Sequence, residues 1–243
     1  MFQILTKEFS SFLNTLIAYV VIGVFLTGMG LLMWIFPETA VLDNGYATMD
    51  SLFLLGPYVF IFLVPAITMR SFAEEKKAGT LDLLMTKPLS DWQILSGKFI
   101  ACVALVLLSL IPTVLYYYSI YLLGNPVGNL DTPGIMGSYI GLFMLGSVFC
   151  SIGIFASSIT TNQIIAFILA AFLCFIFFTG FESVSALSTT VSQTLLLKQL
   201  GLSYHYEAMS KGLIDSRDVI YFLSIIFLML SVTKLILGSR QWK

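Results

Sequence analysis

Charge is the scarcest commodity in this sequence. Only 10% of its 243 residues are Asp, Glu, Lys or Arg, against 58% hydrophobic, whereas an ordinary soluble domain carries roughly 25% charged residues. Too little polar surface exists to clothe a water-facing fold of this length, so apolar side chains must face lipid. The net charge of −1 and the lack of any basic run exclude an electrostatic nucleic-acid surface. Histidine is nearly absent: His205 stands alone, with no second histidine or cysteine nearby to complete a metal site, and reads as a satisfied interfacial residue. The three cysteines, Cys102, Cys150 and Cys174, lie inside apolar stretches without CxxC spacing and read as small core residues.

Catalytic motifs are missing too. No GxxxxGK[ST] occurs; Gly97-Lys98 is the only Gly-Lys pair, and Trp92 stands where a phosphate-binding loop needs its first glycine. GxSxG and HExxH are likewise absent. No catalytic residue, metal ligand or cofactor is expected, and any energy source must lie in another subunit. The first five apolar runs have no ionisable residue in their central portions, which argues against an ion-coupled carrier.

What the chain does have is long apolar runs. Thr15 to Phe36 is free of charge and contains 12 Leu, Ile, Val or Phe, which together favour insertion by about 4–7 kcal/mol. The run is too long for a signal peptide, and Glu8 offsets Lys7 ahead of it. Further spans are expected near 52–70, 97–123, 135–157, 162–180 and 219–238. The fold class is therefore an all-α membrane protein of six transmembrane helices, forming one domain over 1–243. Pro57, Pro65 and Pro112 fall within spans and read as kinks. With the N-terminus inside, nine of the twelve bases (Lys7, Arg70, Lys76, Lys77, Lys87, Lys98, Lys234, Arg240 and Lys243) lie in the cytoplasm. Both termini are then cytoplasmic, and Lys234 snorkels from the last span.

Between the spans are segments of a different character. Residues 1–14 place Phe2, Leu5, Phe9 and Phe12 at helical spacing, the pattern of an amphipathic helix lying in the interface. Arg70 to Lys98 is the most polar stretch. It carries an apolar patch of Leu81, Leu83, Leu84 and Met85, and Ser90 with Gln93 has capping-box spacing. An apolar patch in a polar segment implies a protein partner. The fourth span presents Gly137, Gly141, Ser147, Ser151, Gly153 and Ser157 on a small-residue face, suited to close packing within the chain or between protomers. Residues 181–217 are too short for a domain and too apolar for a free loop, so an external re-entrant or interfacial helical pair is expected. Ser216 is the expected cap of the last span, with Asp218 in its first turn.

These residues carry a resemblance. Glu74-x4-Gly-Thr-Leu-x-Leu-Leu-x3-Pro88, followed by Gly97-Lys98, is similar to the coupling region of type-2 ABC exporter permeases. Lys211-Gly-Leu-Ile-Asp-Ser-Arg-Asp-Val-x-Tyr-Phe-Leu and Arg240-Gln-Trp resemble the start and end of their last span. The likeness runs over nearly the whole chain and is nearest to gliding-motility-associated permease subunits.

The resemblance implies a bacterial inner-membrane subunit working with separate ABC ATPase subunits and a second permease subunit, homo- or heterodimeric. It places a cytoplasmic coupling helix between spans two and three, within 71–96. There Glu74 is the acidic group at the base of span two. Gly79 and Thr80 break and restart the helix, Leu81 and Leu84 dock on the ATPase, and Pro88 closes the element. Lys76, Lys77 and Lys87 would meet lipid head groups. A membrane anchor whose hairpin recruits a partner without moving cargo is the alternative that the residues also allow.

Overall fold

In lipid every backbone donor needs a partner within the protein, which leaves helices as the solution for a chain of this composition. The computed structural model describes residues 2–43, 45–81, 90–186 and 191–238, and no strand occurs among them.

The chain begins with α1 (Phe2–Leu13), which meets α2 (Leu16–Trp34) at 66°. Helix α3 (Asp50–Thr68) runs unbroken through Pro57 and Pro65, and α4 (Ala73–Lys77) follows after a short break. Ser90 and Gln93 then close a capping box, Ser90 Oγ accepting from the Gln93 amide (3.3 Å) and Gln93 Oε1 from the Ser90 amide (3.1 Å), which starts α5 (Asp91–Leu110). Pro112 turns one stretch, Ile111–Thr113, into a 3-10 turn before α6 (Val114–Leu123). Next come α7 (Thr132–Ile159), opened by Asp131 accepting from Gly134, and α8 (Gln163–Phe175), opened by Asn162 accepting from Ile164. Helix α8 continues through a π-helical turn at Ile176–Gly180 into α9 (Phe181–Ser185). Two short helices, α10 (Val191–Gln199) and α11 (Leu202–Ser210), precede α12 (Ser216–Gly238).

Among the described residues, five helical stretches are long and apolar enough to cross a membrane: Asp50–Lys77, Asp91–Leu123, Thr132–Ile159, Gln163–Ser185 and Ser216–Gly238. Helix α2 reaches that class only together with α1, across their bend. Several boundaries differ from expectation: the second span runs on to Lys77 and the third already begins at Asp91. The fifth span does not stop at Gly180, because the π turn absorbs that glycine and the helix runs on to Ser185. The cap of α12 is not Ser216 but Asp215, whose Oδ1 accepts the Arg217 amide at 2.9 Å; Ser216 already lies inside the helix.

Helix α7 is the central post. Of its most apolar stretch 78% is buried, against 22% for the α8–α9 stretch and 28% for α12. Its small residues explain this. A Cβ on Gly137 would lie 2.7 Å from the Gly212 carbonyl oxygen, and one on Gly141 would lie 2.7 Å from Met209 Cβ. Gly146 takes Val106 and Phe60, and Gly153 takes Thr68. The small-residue face is therefore filled from within the chain: by the end of α11 in one half, by α3 and α5 in the other. Ser138 Oγ donates to the Ser210 carbonyl (2.8 Å) and Tyr206 donates to the Phe53 carbonyl (2.6 Å), seating α11 between α7 and α3. In the 181–217 stretch, Leu195, Leu196 and Leu200 are exposed while Leu202 is fully buried.

Candidate coupling site

The site is built where α3 ends. A helix leaves its last carbonyls and the next helix its first amides without partners. Here one serine of α7 serves both: Ser157 Oγ donates to the Met69 carbonyl and accepts from the Phe72 and Ala73 amides, each at 3.0 Å. Lys76 Nζ donates to the neighbouring Ser158 carbonyl. The break between α3 and α4 is thus fixed in place by the end of the central post.

Around that joint lies a cluster of opposite charges drawn from three helices. Lys98, in the second turn of α5, is only 1% exposed. Its Nζ donates to Glu8 Oε1 of α1 (3.0 Å) and to the Ser71 carbonyl (2.7 Å). It also lies 3.0 Å from Glu75 Oε2 of α4 and 5.0 Å above the Phe72 ring. Lys7 closes the circle at 3.4 Å from Glu75 and 3.6 Å from Glu8. Arg70 and Glu74 form a separate two-pronged pair at 2.8 and 3.0 Å. A crevice of about 150 Å³ runs between these groups.

An ammonium stripped of water is tolerated only when its partners return what hydration gave. Two carboxylates, one carbonyl and one aromatic face do so here. With every acid of the cluster beside a base, the arrangement binds α1, α4 and α5 into one piece.

The residues expected from the sequence are divided by the fold. Glu74 is held by Arg70, with its side chain 46% exposed. Gly79 follows α4 at φ +68, a conformation that favours glycine, and Thr80 and Leu81 are helical again. Thr80 is exposed, its hydroxyl 3.4 Å from the Glu75 carbonyl. Leu81 is not a surface knob: it is 1% exposed and belongs to the chain's own core. Leu84 and Pro88, with Lys87, lie outside the described residues, as do Arg240 and Lys243. Lys76 turns to Ser158, while Lys77 is exposed. At the far end of α12, Lys234 rests 5.2 Å from the Trp92 ring of α5.

Glu8, Glu75, Lys98 and Ser157 were not singled out as site residues. Glu8 left a trace in the sequence, because it sits between Ile4 and Phe12 at i+4 spacing and therefore on the buried stripe of α1. Lys98 left a similar one, four residues after Ile94 and four before Cys102, both buried.

The family model for ABC-2 family transporter proteins matches residues 40–230, which includes the joint, α4, α5 and the later long helices up to the middle of α12. The chain belongs to this family. No curated protein matches it significantly. As an ABC-2 family transporter protein it is a multi-pass membrane component of an ABC transporter, distinct from the nucleotide-binding subunit, and its partner is an ABC ATPase. The matched stretch leaves out α1, so Glu8 and Lys7 of the ion cluster come from beyond it.

Proposed function

We propose that this ABC-2 family protein is the permease subunit of a bacterial inner-membrane exporter, in which two permease and two ATPase subunits form the working unit. Helix α2 is the sixth span, α1 lies in the cytoplasmic interface, and the α4 end of the bundle faces the cytoplasm, in keeping with the concentration of basic residues there. The segment from Arg70 to Lys98 is the coupling element on which the ATPases push, and α10 with α11 forms the external re-entrant element. The likeness to gliding-motility-associated permeases makes surface movement the process this complex serves, by export or by transmitted force.

The observation that carries this reading is the anchoring of the coupling segment. Its first half is bound to α7 through Ser157 and Ser158, and Lys98 at its far end is bound to α1 and α4. A segment fixed at both flanks to the body of the membrane domain passes a push onward instead of yielding to it. Leu81, packed in the core, then serves as the inner anchor of the segment, and Leu84 as the residue that meets the ATPase.

Leu84→Asp should leave insertion intact and abolish co-purification of the ATPase subunit, because a buried carboxylate at an apolar contact leaves a charge without water or a partner. Undiminished co-purification would overturn the docking assignment. An accessibility tag placed after Lys243 tests the span count: labelling from the cytoplasmic side only is expected for six spans.

A further inference from the structure

The one histidine of the chain lies at the end of the bundle opposite the ion cluster, where α10, α11 and α12 meet. Its Nδ1 is 2.7 Å from Asp218 Oδ1 and its Nε2 is 2.9 Å from the Gln199 carbonyl oxygen. Both partners are acceptors. A neutral imidazole has a single N–H, so it satisfies one of them and turns a lone pair toward the other. Only the doubly protonated ring donates to both.

Two aromatic rings hold the imidazole in place. The ring lies on the face of Tyr221, with centroids 3.8 Å apart and planes 23° apart, and Tyr204 stands edge-on at 5.3 Å. A cation over an aromatic face is stabilised. Asp218 is itself buried, its residue 8% exposed, and a buried carboxylate needs a hydrogen-bond partner. The Tyr221 hydroxyl donates to the Leu200 carbonyl at 2.5 Å. Consecutive carbonyls of the α10–α11 turn are therefore held by His205 from α11 and by Tyr221 from α12, and Asp218 of α12 completes the connection.

We infer that His205 is a proton-dependent latch: in its doubly protonated form it bridges the Gln199 carbonyl of the α10–α11 turn and Asp218 of α12, and losing a proton breaks that bridge, leaving the Tyr221 hydroxyl as the turn's tie to the last long helix. A neutral ring keeps either the carboxylate or the carbonyl, never both, so the bridge from Gln199 through His205 to Asp218 is broken whichever contact survives. The turn borders an open groove of about 1250 Å³, whose walls include Leu196, Leu200, Leu213 and Ile220. Breaking the bridge therefore changes the shape of a partly apolar groove. Other charged or titratable groups around it are Glu207 and Lys211 on α11, Asp215 before α12, and Arg217 in its first turn. Glu207 and Lys211 pair with each other at 2.8 Å, and Asp215 is occupied as the cap of α12. Asp218 is thus the carboxylate that answers the ring. The latch also stands at the head of a helix whose Phe227 stacks on Trp92 of α5, at the start of the helix that carries Lys98.

Because His205 is the sole histidine, its ring nitrogens are directly readable. The full chain, labelled with ¹⁵N-histidine and placed in lipid nanodiscs, is titrated with pH while ring ¹⁵N signals and hydrogen exchange over 196–205 are followed together. Two protonated nitrogens are expected while the turn is protected. Loss of one proton should coincide with exchange about tenfold or more faster, the worth of one charge-assisted hydrogen bond. His205→Gln should show the fast exchange at every pH. Tyr221→Phe, which removes only the tie to Leu200, should speed exchange and keep the pH dependence, so it serves as the variant that separates the latch from general loosening. A singly protonated ring in the protected state, or exchange that ignores the ring's protonation, would overturn the latch. None of these readouts depends on the presence of an ATPase.

Discussion

At the α4 end of the bundle three helices close around an ammonium that is 1% exposed, with two carboxylates and a carbonyl within 3.0 Å. At the opposite end α11 is seated by backbone against glycine, at Gly137 and Gly212, and by one His–Asp pair whose side chains are 13% and 11% exposed. The first arrangement resists motion, because separating the helices strands charges in a place water scarcely reaches. The second is shape-matched where it must not move and carries a single protonation-sensitive tie where it can. The contrast is one between a joint locked by buried charge and a turn held by a breakable bridge.

The sharpest way to break the comparison is to remove the ammonium. Lys98→Met leaves Glu8 and Glu75 without their buried partner, and should lower stability by about 3–5 kcal/mol. The measurement is thermal unfolding of the purified chain in nanodiscs, with protease access to α1 as a local readout. A triple change, Lys98→Met with Glu8→Gln and Glu75→Gln, should recover much of the loss, since it removes the stranded charges together. If Lys98→Met proved no worse than His205→Gln, the two ends would not differ as described.

The opposite end is tested through its glycine contact. Gly137→Ala should lower stability by about 1–3 kcal/mol, because the added methyl meets backbone that cannot rotate away; the Gly212 carbonyl oxygen would lie 2.7 Å from it. Gly23→Ala in α2 is the natural control: nothing lies within 4 Å of its Cβ position, so the change should be neutral or mildly stabilising, by roughly 0.5–1 kcal/mol. The same unfolding assay compares the two, and equal losses would refute the close approach.

How much of this was legible in the sequence depended on the range of the interaction. Local signals read well: the Ser90–Gln93 capping box formed with both bonds, and the charge-poor runs mark five membrane-length helices. The Gly137–Gly141 spacing announced close packing but not its partner, which lies some 70 residues away at Met209 and Gly212 and is set by the tertiary path of the chain. Leu81 illustrates the same limit. Its apolar neighbours suggested a docking face, yet whether a leucine turns outward depends on helices that are distant in sequence. Glu8 and Lys98 are separated by 90 residues, and each alone reads as an ordinary isolated charge. Their shared signal, a charged residue on an otherwise buried stripe, becomes informative only when the two are considered together. Asp218 was placed in the first turn of α12 correctly, but its partner His205 was out of reach of helix-end arguments.

A smaller effect probes how the ion cluster is positioned along α5. Ser90→Ala removes the side chain that accepts the Gln93 amide and should cost about 1 kcal/mol. Because Lys98 sits two turns further on, the loss should appear as faster hydrogen exchange over 91–96 with little change at Lys98 itself. Exchange spreading to α1 would mean that the cap, and not the ammonium alone, holds the cluster together.

The smallest effect belongs to the Glu207–Lys211 pair, which resembles the buried cluster in distance and differs from it in everything else. The two groups lie 2.8 Å apart on one face of α11 and its following turn, with side-chain exposures of 68% for Glu207 and 66% for Lys211. Water screens such a pair and holding two long side chains together opposes it, so neutralising either should change stability by only a few tenths of a kcal/mol, and less in high salt. Glu207→Gln and Lys98→Met thus each break an ion pair of ordinary length, yet about a tenfold difference in cost is expected. Since the distances are alike, burial is what separates them. A Glu207→Gln loss approaching that of Lys98→Met would show that α11 depends on surface charge after all, and the contrast between the two ends would have to be given up.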